Sequence, residues 1–504
     1  MADRREEELA QALERELLRR GYSRRDFVKI ASAMGFSAVL AACGAERRPQ
    51  TNEGQSAAAG TVPATTTGPV TGGVVDVEAT PREAFAEARG DLGEYPASGI
   101  DEPTSKVTIS VAHAWDASFW PRQQAFDRQF MKRHPNIEVK AENTPWGDFL
   151  QKYVAQGAGG TLPDLMYVHF SWAQQLIGLG ALASLDQYID GAPDFNLEDF
   201  TKPSLVSYTQ DGKLYGIPYD EGPGILFYNK ELFDKAGVKY PSDDWTLSDL
   251  KETAIKLTSG SGPNKIFGLG STPSPGDATM APAYLYPFGA KYVSEPNEDE
   301  CLLDQPEAVE ALQWWMELRS KHQAVPSPAD LETLTWPAFQ FGRIAMQLEG
   351  TWATPPINEN AKFKWDVAKW PKGPKAQSTF SAGSSYAITE NSKSRDAAWI
   401  YLNEYISTPG QIFMWASTGR GSPSRNSAWP AYLESKYSPP SAKVAQESLN
   451  EFASHDILDT PVAPQVVQKA GAIWDRVITG KLDIKQAVGQ ICREIEPLLA
   501  KNQQ

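Results

Sequence analysis

Strand-like and helix-like segments alternate along the chain from Lys106 onward, and this alternation most constrains the fold. Alternating elements of this kind favour a parallel sheet covered by helices, which is an α/β fold. In such sheets, ligands bind beyond the carboxyl ends of the strands. The predicted strands are Val107–Val111, Ile137–Ala141 and Asp164–Val168, and the predicted helices are Phe119–Arg133, Trp146–Gln156 and Ser171–Gly180.

The stretch Gly212–Val238 departs from simple alternation because two extended segments meet at a charged loop. The run Leu214–Pro218 leads to two adjacent carboxylates, Asp220 and Glu221, in a loop rich in glycine and proline. A short apolar strand follows, and then a helix with a glycine just past its end. This pattern is consistent with an ordinary α/β crossover. It is also consistent with a chain that passes from one lobe to another beside a ligand.

The length of 504 residues is too great for one hydrophobic core, so we expect two large domains or one bilobed module with additions. The sequence shows no internal repeat. Further helices are predicted near Thr246–Leu257, Pro306–His322, Trp336–Phe341 and Asp396–Ile406, and further strands at Ile344–Leu348 and Phe380–Ile388.

The N-terminal segment carries two export signals in the expected order. The run Ser23–Lys29 matches the S-R-R-x-F-x-K consensus of twin-arginine export at every fixed position. A short apolar run follows and ends in Leu-Ala-Ala-Cys, which resembles a bacterial lipobox. We therefore expect residues 1–42 to be a signal peptide and Cys43 to be lipidated after cleavage. The alternative is a buried N-terminal helix in which these residues occur by chance.

Residues 43–104 are predicted to form a flexible tether. Their composition shifts to Ala, Thr, Gly, Pro, Glu and Ser, which buries too little apolar surface to fold. A lipid-anchored tether would hold a globular body at the outer face of the cytoplasmic membrane without fixing its orientation.

Charge and cysteine content narrow the possible partners and the compartment. The formal net charge of −15 argues against nucleic acid and against an anionic membrane surface as partners. Two cysteines remain besides Cys43, and an oxidising compartment would allow a disulfide to persist. The sequence gives no distance between Cys301 and Cys492, so their pairing stays open.

Enzyme and metal signatures are mostly missing. The chain has no H-E-x-x-H, G-x-S-x-G, Walker A or CxxC motif, and no two histidines have metal-ligand spacing. We therefore predict no catalytic residue, no metal and no cofactor. Asp220 and Glu221 are glycosidase-type carboxylates in principle, but neighbouring side chains usually diverge and no second acid stands out.

Aromatic residues stand where loops leave strands, and this is the chemistry that the sequence does favour. Flat rings stack on the apolar faces of sugars, while Asp, Glu, Arg and Ser bind the hydroxyl groups. Core packing explains at least half of these residues. The set comprises Trp115, Trp120, Trp146, Trp172, Trp336, Trp352 and Tyr386.

The motifs around Gly212–Val238 resemble the family 1 extracellular solute-binding proteins of ABC importers, the group of the maltose- and sn-glycerol-3-phosphate-binding proteins. The most specific pair is Tyr215–Tyr219 (Y-G-I-P-Y) followed by Tyr228–Lys230 (Y-N-K). The match runs from about Lys106 to the C-terminus. Weaker motifs fall in family order at Val111–Trp120, Leu162–Tyr167, Leu179–Leu182, Ala345–Trp352, Gly383–Ile388 and Gly419–Pro423.

The resemblance implies a bilobed fold like that of type 2 periplasmic binding proteins, with two α/β lobes joined by a hinge. Lobe one would comprise residues 105–216 with 377–418, and lobe two residues 217–376 with 419–504. Such a protein is a monomeric receptor, not an enzyme. It closes over a small-molecule carbohydrate and delivers the ligand to the transmembrane subunits of an ABC permease.

Three alternatives to a sugar receptor remain open. They are a receptor of the same fold for a non-sugar solute such as a glycerol phosphate, a secreted glycan-active enzyme, and a surface adhesion lipoprotein. A phosphorylated ligand would favour clustered basic residues, for which Arg420 is the obvious candidate.

The resemblance also implies a set of ligand-binding positions. They are Trp115, Asp116, Ser171, Trp172, Asp220, Glu221, Ser274, Asp277, Trp352, Gly383, Ser384, Tyr386 and Arg420.

Overall fold

The computed structural model describes residues 94–115, 119–295, 297–332, 334, 337–454, 458 and 460–500. The predicted signal peptide, Cys43, most of the predicted tether, Asp116 and Trp336 lie outside these residues. The described chain forms two compact units by its contacts: one holds Gln151–Leu162, and the other holds the remaining residues and both large sheets. A search of the described residues found no helix with the length and apolar content needed to span a bilayer.

Twelve strands in the described chain form a six-stranded sheet, a four-stranded sheet and a two-stranded ribbon. In chain order they are β1 (Val107–His113), β2 (Ile137–Asn143), β3 (Leu165–His169), β4 (Thr209–Gln210), β5 (Lys213–Leu214), β6 (Ile217–Pro223), β7 (Ile225–Asn229), β8 (Phe267–Leu269), β9 (Ile344–Glu349), β10 (Trp365–Ala368), β11 (Thr379–Ile388) and β12 (Ala453–Ser454).

The described chain has 17 α-helices, and the predicted helical segments largely coincide with them. In chain order they are α1 (Trp120–Arg133), α2 (Trp146–Ala158), α3 (Phe170–Gly178), α4 (Asp186–Gly191), α5 (Lys202–Val206), α6 (Lys230–Ala236), α7 (Leu247–Leu257), α8 (Ala281–Tyr284), α9 (Pro306–Ser320), α10 (Pro328–Leu331), α11 (Thr354–Asn360), α12 (Arg395–Tyr405), α13 (Thr408–Met414), α14 (Trp429–Glu434), α15 (Lys443–Glu451), α16 (Ala463–Ile478) and α17 (Ile484–Leu499).

The six-stranded sheet, called sheet one, has the order β12–β11–β3–β1–β2, and β6 pairs with β11. Strand β1 runs parallel to both β2 and β3, as the alternation of elements predicts. Strand β11 is antiparallel to β3 and to β6. The four-stranded sheet, called sheet two, has the order β10–β7–β9–β8. Its core includes Ile225, Phe227, Phe339 and Ile344, all fully buried.

The stretch Gly212–Val238 is a passage from sheet one to sheet two. Strand β6 belongs to sheet one and β7 to sheet two, and only Gly224 separates them. A Cβ atom at Gly224 would lie 2.5 Å from both the Phe380 ring and the Thr379 hydroxyl, so the site requires glycine. The change of sheet therefore falls at Gly224, on the C-terminal side of the predicted lobe boundary after residue 216. The division into lobes itself remains a prediction.

The chain makes a second passage between β10 in sheet two and β11 in sheet one. The two passages are held against each other. The Gly224 N–H donates to the Phe380 carbonyl at 2.9 Å, and the Thr379 hydroxyl donates to the Gly224 carbonyl at 2.9 Å. Two adjacent connections of this kind are the usual arrangement of a hinge.

Residues 95–103, called the N-terminal strap, lie against helices of the sheet-one side. This is the part of the predicted flexible tether that the structure describes, and it makes specific contacts. The Gly99 backbone has a φ of +73°, and a Cβ atom there would lie 2.0 Å from the Gly191 carbonyl oxygen. Three side chains donate to strap carbonyl groups: Asn403 to Pro96 at 2.9 Å, Trp399 to Ser98 at 2.8 Å and Asn136 to Pro103 at 2.7 Å.

A disulfide joins Cys301 to Cys492, which resolves the pairing that the sequence left open. Cys492 lies on α17, which packs against α16 and α9. The bond closes a loop across 191 residues and attaches the C-terminal helix to the segment before α9.

Candidate ligand-binding site

Strands β1 and β3 of sheet one end at the same edge because they are parallel neighbours. Trp115 follows β1, and Trp172 lies in the first turn of α3, which begins directly after β3. The family resemblance predicts that both tryptophans contact the ligand. The structure places them at one edge of the sheet.

An aromatic cluster forms the inner part of this edge. The Trp115 ring, of which 3% is exposed, lies 4.9 Å from Phe119 and 5.4 Å from Tyr219, centroid to centroid. Tyr167 joins this cluster to Trp172, since its ring is 6.4 Å from Trp115 and 5.9 Å from Trp172. The edge-to-face arrangement of these pairs is favourable for aromatic rings.

Trp146 extends the cluster toward solvent. Its ring is 51% exposed, whereas that of Trp172, 5.2 Å away, is 7% exposed. The Trp146 side chain hydrogen-bonds to the Tyr167 hydroxyl. Trp146 belongs to the predicted strand-end aromatics but not to the predicted ligand positions. The signal was its position at the loop after β2.

Asp220 supplies a carboxyl group beside the aromatic cluster. The Ser384 N–H donates to its Oδ1 at 2.7 Å, and the Ser384 hydroxyl lies 2.8 Å from the Tyr167 hydroxyl. Burial raises the pKa of Asp220 to about 8, although the Ser384 N–H and the charge of Arg420 act to lower it. Near neutral pH this carboxyl is therefore mostly protonated, so it can both donate and accept hydrogen bonds.

Arg420 lies over the aromatic cluster from the other side. Its guanidinium carbon is 5.0 Å from the Trp115 ring centroid and 4.6 Å from that of Phe119, which is the geometry of a cation–π contact. The structure thus brings together five of the predicted ligand positions: Trp115, Trp172, Asp220, Ser384 and Arg420.

Glu221 points to the opposite face of β6, because successive side chains of a strand alternate between faces. Its carboxylate accepts a hydrogen bond from the Ser381 hydroxyl on β11, and only 1% of the residue is exposed. Gly383 lies directly opposite Glu221, and a Cβ atom there would be 2.8 Å from Glu221 Oε2. The two adjacent carboxyls therefore have different surroundings, and Asp220 is the one on the face of the aromatic cluster.

Trp352 approaches the same strand from sheet two. It lies just after β9, and a Cβ atom at Gly222 would be 2.9 Å from its ring. The Trp352 ring also stacks on Phe380 of β11, with centroids 6.0 Å apart and planes inclined by 28°. Trp352, a predicted ligand residue that follows a strand of sheet two, thus packs against both β6 and β11 of sheet one.

The remaining predicted positions have other neighbours. The Ser171 hydroxyl pairs with His169 Nδ1 at 2.8 Å. Tyr386 has no exposed surface and hydrogen-bonds to His113 Nδ1 at 2.5 Å, so it contacts the core beneath the site. Burial lowers the pKa of His113 to about 3, which keeps its ring neutral.

Ser274 and Asp277 line a different, shallow recess near α8. Asp277 is exposed to solvent but surrounded by protein on several sides, and this desolvation raises its pKa. Its Oδ1 accepts from the Thr279 hydroxyl at 2.5 Å. The walls of the recess are mostly apolar, and they include Met280, Tyr284, Leu285, Leu303 and Leu312.

The described residues contain no group of three or more His, Cys, Asp or Glu side chains that could hold a metal ion. What the site offers is an aromatic surface with hydroxyl, carboxyl and guanidinium groups at its border. Such a surface suits a ligand that has both apolar C–H faces and hydroxyl groups.

Comparison with known proteins places the chain among binding proteins. A family model described as bacterial extracellular solute-binding protein matches residues 117–412. A binding protein of Brucella abortus is 28% identical over 315 residues, which are 61% of this chain and 73% of that protein. A lactose-binding protein of Rhizobium radiobacter is 25% identical over 333 residues, 62% of this chain and 75% of that protein.

Solved structures share the fold. An ABC substrate-binding protein of Listeria monocytogenes in complex with cycloalternan superimposes with a TM-score of 0.70 at 24% identity, over 79% of this chain and 99% of that chain. The GacH receptor of Streptomyces glaucescens, solved unliganded and with acarbose, gives a TM-score of 0.67 at 24% identity. This match covers 79% of this chain and 99% of that chain. These likenesses confirm the predicted fold class.

Proposed function

Since the chain belongs to the family of bacterial extracellular solute-binding proteins, we propose that it captures a sugar or oligosaccharide as the substrate-binding component of an ABC importer. It would deliver this ligand to the transmembrane subunits of a permease. Relatives and structural neighbours include proteins named for lactose and for arabinooligosaccharide, and structures with cycloalternan and maltotriose.

The observation that carries the proposal is the polar border of the aromatic cluster. Asp220, Ser384 and Arg420 lie beside the rings of Trp115 and Tyr167 at the carboxyl ends of β1 and β3. Stacking on the rings would recognise the sugar faces, and the polar groups would recognise the hydroxyls.

The mechanism follows from the two passages between the sheets. Asp220 and Ser384 lie on sheet one, whereas Trp352 follows a strand of sheet two. A ligand that contacts both sides would favour the closed conformation by its additional contacts there. Binding is then stoichiometric and involves no turnover.

A non-sugar solute such as a glycerol phosphate is the main alternative. Among the described residues of the aromatic cluster and its border, Arg420 is the basic group, and its neighbour Asp220 is acidic. A phosphate dianion would gain one cation at a surface that is otherwise aromatic and hydroxyl-bearing. This arrangement favours a ligand without negative charge.

A glycan-active enzyme is the less favoured alternative. The curated relatives reported above are named as binding proteins. Of the two adjacent carboxyls, Glu221 lies on the opposite face of its strand and bonds to Ser381. Products formed during incubation with oligosaccharides would support this alternative.

We propose that the protein is exported through its twin-arginine signal and anchored by a lipid on Cys43 at the outer face of the cytoplasmic membrane. The family is extracellular or periplasmic, which agrees with export. The sequence motifs Ser23–Lys29 and Leu40–Cys43 support the anchor. We expect the receptor to be a monomer. Labelling with a radioactive fatty acid should modify the wild type and not Cys43→Ser.

Calorimetry and small-angle X-ray scattering test the function together. The panel would contain lactose, maltotriose, mannobiose and, for the alternative, glycerol 3-phosphate. We expect one carbohydrate to bind at a ratio of one to one and to reduce the radius of gyration. Binding of glycerol 3-phosphate alone would support the non-sugar alternative. If no sugar binds and none compacts the protein, the sugar proposal is wrong.

A further inference from the structure

The Trp352 side chain is held by a hydrogen-bonded relay on sheet two. Its indole N–H donates to Glu349 Oε2 at 3.2 Å. The other carboxylate oxygen of Glu349 accepts from Gln347 Nε2 at 3.1 Å, and Gln347 Oε1 accepts from the Phe339 N–H at 3.1 Å. Gln347 and Glu349 are two residues apart on β9, so their side chains share one face of the strand.

The direction of this relay is fixed at both ends. The Phe339 N–H and the Trp352 indole N–H can only donate, so the two side chains between them must accept at the ends. Gln347 must then turn its amino group toward Glu349, and Glu349 must accept on both oxygens. A carboxylate can do this, whereas an amide at position 349 would place one donor against another donor.

The hydrogen bonds of the relay hold the Trp352 ring, which is tightly packed between the two passages. The Trp352 ring lies so close to Gly222 of the first passage that a Cβ atom there would overlap it, and it stacks on Phe380 of the second passage. Both Glu349 and Gln347 are more than nine-tenths buried. In low-dielectric surroundings, hydrogen bonds to a charged group are stronger than those between neutral groups.

We propose that Glu349 is a positioning residue for ligand recognition, because it fixes the Trp352 indole against both passages between the sheets. This rests on the proposed function, in which Trp352 contacts the ligand. Glu349 acts through Trp352 and is not itself assigned to the ligand. It was not among the positions that the sequence pointed to.

The test uses the isosteric variant Glu349→Gln and the reciprocal double variant Gln347→Glu/Glu349→Gln. In the single variant one donor of the relay loses its acceptor. In the double variant each donor and acceptor of the relay is paired again. The introduced carboxylate at position 347 would accept from the Phe339 N–H and from the introduced amide at position 349, and the oxygen of that amide would accept from Trp352. Glu317→Gln, which alters an exposed ion pair with Lys251 on the sheet-two side, is the matched control.

The first measurement is the indole N–H resonance of Trp352 in protein labelled with ¹⁵N-tryptophan, assigned with Trp352→Phe. We expect Glu349→Gln to shift this resonance and to increase its solvent exchange at least tenfold, and the double variant to restore both. Glu317→Gln should change neither. An unshifted resonance in Glu349→Gln, or a double variant that does not recover, would overturn the proposal. If Glu349→Gln does not fold, the double variant alone decides it.

The second measurement is the affinity for whichever of lactose, maltotriose and mannobiose the wild type binds. We expect Kd to rise about tenfold in Glu349→Gln and to return to within about twofold in the double variant. The melting temperature should fall in Glu349→Gln, because a buried donor loses its acceptor, and should recover in the double variant. A Kd unchanged in Glu349→Gln would also overturn the positioning role. If the wild type binds none of the three sugars, the sugar proposal fails, and the indole resonance still tests the relay.

Discussion

Asp220 and Glu221 are neighbours in the chain but occupy different environments. Asp220 lies beside the aromatic cluster and accepts from the Ser384 N–H, whereas Glu221 accepts from Ser381 on the other face of β6. The alternation of side chains along a strand accounts for the difference. At the scale of single residues, the ligand-binding role therefore falls first on Asp220.

Asp220→Asn should weaken sugar binding and also change the pH dependence of stability. The ordinary pKa is 3.8, and burial raises that of Asp220 to about 8 in the folded protein. The stability that the neutral carboxyl contributes is complete below about pH 4 and is lost as the pH rises toward 8. Since asparagine stays neutral, the variant should melt about 2 °C or more above the wild type at pH 8, and equally near pH 4.

Thermal melts from pH 4 to 8.5 and calorimetry check both effects. We expect Kd for the bound sugar to rise about tenfold, since a hydrogen-bonding group in the site is altered. Asp475→Asn, on the exposed face of α16, is the control and should leave both quantities unchanged. Equal pH profiles for Asp220→Asn and the wild type would contradict the prediction.

Trp146→Ala should reduce affinity for a trisaccharide more than for a monosaccharide, because its half-exposed ring extends the aromatic cluster outward. The loss of one stacking contact should raise the Kd for maltotriose about fivefold. The melting temperature should hardly change. Phe341→Ala removes a ring that is 48% exposed elsewhere and serves as the control. Equal losses for glucose and maltotriose would argue against an outer subsite.

The N-terminal strap illustrates how an element can depend on partners far away in the chain. Its composition is that of a flexible tether, yet Trp399, 301 residues from Ser98, donates to its backbone. The pH dependence of the docking of the strap can be predicted from His134. His134 lies between two carboxylates, at 2.5 Å from Glu102 beside Pro103 of the strap and at 2.9 Å from Glu404 on α12.

Docking of the strap should weaken as the pH rises. Burial lowers the pKa of His134, but hydrogen bonds and the charges of Glu404 and Glu102 outweigh burial and raise it. The contribution of His134 is therefore complete below its ordinary pKa of 6.5 and is lost as the pH rises through the higher folded value. The nearby Arg133 also pairs with Glu404.

Hydrogen exchange of the amides at residues 95–104 measures this effect. After correction for the intrinsic rates, protection should be greater at pH 6 than at pH 9. In His134→Gln it should be lower than wild type at pH 6 and should not change with pH. Lys481→Gln, at an exposed site after α16, is the control. Strap amides that exchange as fast as a free peptide at pH 6 would disprove the docked arrangement.

At the scale of the whole molecule, the Cys301–Cys492 disulfide connects distant parts of the chain. Cys301→Ser/Cys492→Ser should lower stability by about 2–5 kcal/mol, since the bond closes a loop across 191 residues. Thermal melts with and without reductant measure this change. The sugar Kd should be unaffected, because Cys492 lies on α17 and the bond is made outside the aromatic cluster. A variant with wild-type stability would contradict the prediction.

The sequence predicted local features better than long-range ones. The parallel strands β1 to β3, the helix that begins after Asn229 and the passage at Asp220–Gly224 follow from patterns within a few residues. The family motifs add the fold class. The ligand positions Trp115, Asp220, Ser384 and Arg420 meet in space, although their roles remain predictions.

The features that the sequence did not predict or left open all depend on distance in space. The docking of the strap requires Trp399 and Asn403, and the disulfide requires α17 to return to Cys301. The relay through Glu349 depends on the Phe339 N–H and on a glycine at position 222. No local pattern reports such contacts, because the partners come from separate elements.

The strap also decides which half of the molecule an upstream anchor would hold. Its contacts with α1, α4 and α12 all lie on the sheet-one side. In the proposed anchored receptor, the strap would attach the sheet-one side to the anchor. A closing motion would then move sheet two relative to the membrane, while Asp220 and Ser384 would keep their position relative to the anchor.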